Sequence, residues 1–356
     1  MTTTRALAVA LAAGVALHAA DASADAFDEY GLQPDRAFSL PAGAGSLQVL
    51  ADGRIAAVRS NDTDGVYELL FEDSVGSRTF SEVASFSDTL VASFGPSFIS
   101  LSPDGQTLAV GDNQFNAGNS VLFFDAATFS PTVPSTPFAN AVVPNFDAAW
   151  LDNDTVAVAG ADSSSFVPQV ALVDLATVTP DVDVVVTSIG NGSGGLAFDG
   201  AGNLYTGIGF SFSNQAGELR RFEPADIANA ASTATPLSFS TGTLIADVLS
   251  AASLGFDNEG NLHVGGADTF GVPGDADYWG LIDADAIASP PASGSSIRQF
   301  DPDPGADSSY SLVFNPVLEE FYVTGGGGVA VFAVPEPATS ALLALGLAGV
   351  LRRSRR

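Results

Sequence analysis

Cysteine is absent from the 356 residues, so the chain can form no disulfide, thiolate–zinc site, iron–sulfur cluster or thiol nucleophile of its own. Lysine is absent as well: all twelve cations are arginine, which excludes Schiff-base chemistry. Histidine occurs only at His18 and His263, too few for a multi-histidine metal centre. No Gly-x-Ser-x-Gly turn is present to carry a serine nucleophile. Against the twelve cations stand 41 acids, a net charge of −29, and a surface this anionic repels nucleic acid. What remains is plentiful: 46% hydrophobic residues with 25 Phe, enough for a large core, and 37 Gly with 20 Pro, a turn-rich composition that favours an all-β fold.

The two ends carry addresses. Arg5 precedes an apolar run over 6–17, followed by Ala22-Ser23-Ala24. That is the layout of a secretory signal peptide, residues 1–24, with cleavage expected after Ala24. At the other end Pro335-Glu336-Pro337 precedes an apolar stretch over 338–351, then Arg352, Arg353, Arg355 and Arg356. As a helix the stretch rises about 21 Å, short of a bilayer core of about 30 Å. It suits a short C-terminal transmembrane helix that anchors the chain transiently at the inner membrane, with the arginines on the cytoplasmic side.

Residues 334–356 resemble the PEP-CTERM sorting signal of Gram-negative bacteria, in which Pro335, Glu336 and Pro337 form the motif. The resemblance implies processing by an exosortase-type membrane protease, release to the cell surface or the extracellular space, and association with exopolysaccharide. Losing both ends strips five arginines and two acids, so the body over 25–333 is more acidic still.

That body repeats. Six segments share a short apolar strand, a tight Asp/Asn/Gly turn and a second strand: 46–58, 98–111, 146–160, 194–207, 252–265 and 310–325. Their turn anchors are Asp52, Asp104, Asp152, Asp199, Asp257 and Asn315. A third strand follows each, over 65–71, 120–125, 169–174, 218–222, 278–283 and 328–333. Outer strands are drawn at 78–86, 182–188, 235–240 and 296–300, and near 136–143 in the second repeat. Four antiparallel strands recurring about every 50 residues predict a six-bladed β-propeller. One blade cannot bury both faces alone, so blades pack around an axis. The sixth repeat lacks an outer strand, and a strand-like stretch over 36–40 lacks a blade, so the N-terminal strand is expected to complete the last blade. The hairpins over 194–227 and 252–287 resemble NHL-type propeller repeats, a likeness that implies the fold and no particular ligand.

The loops between second and third strands are long, and they share a face with the connections between blades. Asp62, Asp112, Asp162 and Asp268 recur near the ends of second strands. One reading is a ring of carboxylates binding calcium, which prefers oxygen ligands, with Phe115, Phe166, Phe212 and Phe270 as a ligand face stacking on sugar. The other, favoured by the repetition, is that each Asp caps its own loop and the Phe residues pack loop to loop. Gly190, Gly192 and Gly195 satisfy a dinucleotide fingerprint but lead into a strand, so they fail its context. His263 alternates within a strand and reads as a blade residue. Two functions stay open: an exported binding module for exopolysaccharide or envelope proteins, or a calcium-dependent propeller hydrolase or lyase using funnel carboxylates.

Overall fold

The computed structural model describes residues 31–32, 35–42, 44–61, 66–87, 96–112, 121–130, 132, 142, 144–176, 181–210, 217–266, 279–292, 297–300, 311–325 and 328–333. Six antiparallel sheets stand around an axis. Their inner strands are Ala44–Val49, Pro96–Leu101, Asn145–Trp150, Gly192–Phe198, Ser253–Phe256 and Ser311–Asn315. Each lies beside the next, and the sixth lies beside the first, so the ring is closed. In the second blade three strands are described; its expected outer strand near 136–143 falls largely outside the described residues.

Burial follows the ring. Second strands are small and apolar where a neighbouring blade covers each face, as over Ile55, Ala56, Ala57 and Val58 and along Thr155–Ala161. The core accordingly divides into six clusters, one per blade interface. Between the fifth and sixth blades Trp279 and Leu281 meet Phe321 and Phe332. Between the sixth and first, Tyr322 and Val331 meet Leu47 and Ile55. Close approach at the centre requires glycine: a Cβ on Gly195 would lie 2.5 Å from the Ser253 and Leu254 backbone of the next blade.

The fourth blade corrects the repeat reading. Its outer strand is Thr243–Val248, not 235–240. A helix, α1 (Pro224–Thr233), intervenes; Pro224 suits a first turn and Asp226 complements the helix dipole there, while Ile227 and Ala230 bury one face. The chain then runs Leu237–Ser238 parallel to the outer strand of the third blade, Asp181–Thr187, and covers that edge. A shorter helix, α2 (Ala284–Ala288), sits between the third and outer strands of the fifth blade.

The seam closes as expected and with a second element. Phe38 pairs with Val329 and Ser39 with Gly328; Gly31 pairs with Ala333 and Leu32 with Phe332. Charged side chains bind this seam. Arg36 contacts Glu320, and Arg78 reaches Glu320 at 2.8 Å and the Tyr322 hydroxyl at 3.2 Å while its guanidinium covers the Phe38 ring. Among the described residues no helix is long and apolar enough to cross a membrane, and the expected C-terminal helix lies outside them.

Candidate functional site

The turns between first and second strands gather on one face. Asn315 Nδ2 donates to the Gly53 carbonyl across the seam, and Asn153 Oδ1 accepts from the Asp104 amide between the third and second blades. The turn acids are structural here. Asp199 Oδ1 accepts from the Ala201 and Asn203 amides, and Oδ2 from Asn203 Nδ2 and the Tyr205 hydroxyl. Asp257 repeats the pattern with Glu259, Asn261 and His263. The anchors do not share one position: Asp199 and Asp257 open their turns, Asp152 lies one residue further in, after Leu151, and Asp52 two residues further in, after Leu50.

His263 is a core residue. Trp279 Nε1 donates to His263 Nδ1 at 2.9 Å, which leaves Nε2 as the protonated nitrogen facing Asp257 Oδ2 at 3.2 Å. Its ring stacks on Phe321 at 4.0 Å. The buried neutral imidazole is thereby fully engaged in blade packing.

The opposite face carries the second-to-third-strand loops. The loop between Thr155–Ala161 and Pro168–Asp174 is described throughout. Asp162 Oδ1 accepts from the amide and hydroxyl of Ser164 at 3.0 and 2.7 Å, and from those of Ser165 at 2.7 and 2.8 Å. The Ser164 hydroxyl leads these donors in drawing the acid down to about 2. Asp162 thus caps its own loop through Oδ1. The Phe166 amide donates to the Asp162 carbonyl, Phe166 adopts a left-handed backbone with φ of 55°, and it is 56% exposed. Asp112 ends the second strand of the second blade, opposite Pro96 in the inner strand, on this same face. Asp62, Asp268, Phe115, Phe212 and Phe270 lie outside the described residues, as do Pro335, Glu336 and Pro337. Among the described residues no three His, Asp or Glu side chains converge to hold a metal ion.

The axis holds a cavity of about 90 Å³ lined by all six inner strands, including Ser46, Ser97, Asp147, Leu196, Ser253 and Ser311. Asp147 is the residue the repeat pattern passed over. Its carboxylate accepts from the Leu196 amide of the next blade and from the Ala148 amide, both at 2.8 Å. Burial outweighs those donors and raises the acid to about 7. An acid inside an otherwise apolar inner strand, Phe146-Asp147-Ala148-Ala149-Trp150, is the signal that marks it.

Residues 333–356 match the model of the PEP-CTERM protein-sorting motif. No curated protein matches the sequence as a relative. In fold, the chain is similar to a gluconolactonase of Xanthomonas campestris, with TM-score 0.54 and 11% identity over 84% of this chain and 88% of that one. It is equally similar to a putative gluconolactonase, with TM-score 0.54 and 12% identity over 85% and 92%. A chain of the mitotic checkpoint complex follows at TM-score 0.52 and 12% identity, over 85% and 95%. At such identities the likeness concerns architecture, and a shared propeller hosts unrelated functions. The motif supports export and sorting to the cell surface, and the chain is therefore a six-bladed β-propeller that carries a PEP-CTERM protein-sorting motif.

Proposed function

We propose that the exported propeller is a surface binding module whose working face is the ring of second-to-third-strand loops, with exopolysaccharide as the partner. The observation that carries this reading is Phe166. An apolar ring over half exposed stands on a loop that Asp162 fastens with four hydrogen bonds. A left-handed backbone at a bulky residue costs about 1–3 kcal/mol, and such strain concentrates where a side chain must be presented. A rigid exposed aromatic face suits stacking on a sugar ring, with little entropy left to lose on binding. Phe115, Phe212 and Phe270 occupy equivalent loops in the sequence and would extend the platform. Glycan-array binding of the processed, exported protein tests the proposal: the Phe166→Ala variant should lose most of the signal, and retention of full binding refutes it.

A second reading draws on the gluconolactonase-like architecture: a calcium-dependent hydrolase or lyase with Asp62, Asp112, Asp162 and Asp268 around the ion. The axial cavity does not supply its active site, because about 90 Å³ holds roughly three waters whereas small-molecule sites measure roughly 300–1,000 Å³. The loop carboxylates would have to do so, with Asp162 already capping its loop. Calcium-dependent melting together with turnover of lactones or sugar polymers would favour this reading; neither effect would remove it.

A further inference from the structure

The pairs Gly31–Ala333 and Leu32–Phe332 are antiparallel, so Gly31 and Ala333 lie side by side at the same end of the sheet. Ala333 also pairs with Glu320, the first residue after the turn between the inner and second strands of its blade. The sorting tail therefore departs from the face of the turn acids. Gly325 pairs with Gly328 at the other end of the same hairpin, on the face of the Phe166 loop. From this topology we infer that, while the chain is held by its tail, the Phe166 face is kept off the membrane that holds it and stays open to exopolysaccharide, the partner of the binding-module reading. The inference deepens the binding-module reading and rests on it, and on the tail being seated in a bilayer.

Covalent geometry supplies the limit. Only residues 334–337 separate Ala333 from the apolar stretch. Whatever their conformation, the five residue-to-residue steps from 333 to 338 span at most about 18 Å. The headgroup layer takes roughly 5–7 Å of that reach, the difference between the hydrocarbon core and the whole bilayer on each side. Roughly 11 Å remains above the membrane surface, by the same two lengths. Seven-residue strands such as Thr155–Ala161 separate the two faces by about 23 Å. Bringing the Phe166 loop down to the membrane would lift Ala333 beyond its tether. Edge-on and turn-face-down orientations both satisfy the limit, and both leave the loop face free.

The absence of cysteine makes the test clean. Single variants Ser163→Cys, on the Phe166 loop, and Asn258→Cys, on a turn of the opposite face, would carry a donor dye in the full chain reconstituted into phosphatidylethanolamine–phosphatidylglycerol vesicles with headgroup acceptors. Transfer should be roughly twofold or more greater from position 258 than from 163, given a separation of about 23 Å. Equal transfer, or more from 163, overturns the inference. Inserting twenty Gly/Ser residues after Ala333 adds a flexible reach of about 25 Å and should erase the contrast. A contrast that survives the insertion overturns tether length as its cause. A chain that fails to float with vesicles overturns the tethering itself, while glycan binding by the exported protein is decided separately by the array.

Discussion

Replacing Arg78 with Ala should loosen the ring more than any other single charge removal at the seam. The guanidinium lies between two buried acids: Glu320, 1% exposed, at 2.8 Å, and Glu72, wholly buried, at 3.7 Å. It also covers the rings of Phe38 and Tyr322. Glu320 would retain Arg36, and Glu72 would retain the Ile55 and Arg78 amides, so neither acid is abandoned completely. Breaking a buried pair costs about 3–5 kcal/mol, and the remaining partners place this case near about 3 kcal/mol. At a urea slope of about 3 kcal/mol/M that is a fall of about 1 M in the unfolding midpoint. Arg54→Ala is the matched control, since its pair with Asp52 is exposed and worth under about 1 kcal/mol. A double cycle of Arg78→Met with Glu320→Gln separates pairing from packing and should give a coupling above about 1 kcal/mol. A midpoint fall for Arg78→Ala no greater than that for Arg54→Ala would refute the seam as an energetic clasp.

Asp147 gives a pH signature. Its folded acid is raised to about 7, so the folded state holds the proton more tightly than the unfolded chain, and stability from this group falls as pH rises from about 4 through 7. The bound is about 4 kcal/mol over that window, and urea midpoints of wild type against Asp147→Asn should differ in slope there; parallel profiles would refute it. Asp162→Ala should cost about 1 kcal/mol, as loss of a local cap does, and raise amide exchange at Ser164 and Ser165; unchanged exchange would contradict the capping role. Asp162, lowered to about 2, contributes stability present above pH 4 and lost as pH falls through 2, so the variant should match wild type only in strong acid. Gly195→Ala should destabilise by about 2 kcal/mol or more through a backbone clash, whereas Gly200→Ala, with open space around it, should be neutral or stabilise by about 0.5 kcal/mol; equal melting temperatures for the two would refute the crowded-centre argument.

The blade pattern was legible because it is imposed locally. Turn acids such as Asp257 bind amides within four residues, and second strands such as Thr155–Ala161 are apolar on both faces. Those constraints leave marks in a short window of sequence. The fourth blade resisted because a helix replaced the expected connection, although Pro224 and Asp226 mark its start and Ile227 with Ala230 mark its buried face. Leu237 looked like a strand residue and is one, but its partner Val186 belongs to the preceding blade, a pairing that no local pattern encodes. The same limit explains Asp147. Nothing near it in sequence reveals the Leu196 amide of the next blade, or the burial that raises the acid. For Asp162 the sequence left capping and metal binding open, and only the Ser164 and Ser165 donors show where its oxygen is spent.

Closure is where the fold depends most on side chains. The strands that finish the sixth blade contribute four backbone pairs, at Gly31, Leu32, Phe38 and Ser39. Closing so long a loop is not itself the obstacle, since each doubling of length adds only about 0.6 kcal/mol. The obstacle is that so short a strand gains little from its ladder alone, and an open blade edge invites pairing with another chain. Phe38 answers the first difficulty by entering the cluster of Tyr322, Leu47 and Val331. Arg36 and Arg78 answer the second by tying both neighbours of the seam to Glu320. Two cations from a chain that has only twelve are spent on one buried acid. In a molecule otherwise so anionic, that allocation places the electrostatic stabilisation at the seam where the two ends of the propeller close the ring, beside the strand that the sorting tail follows.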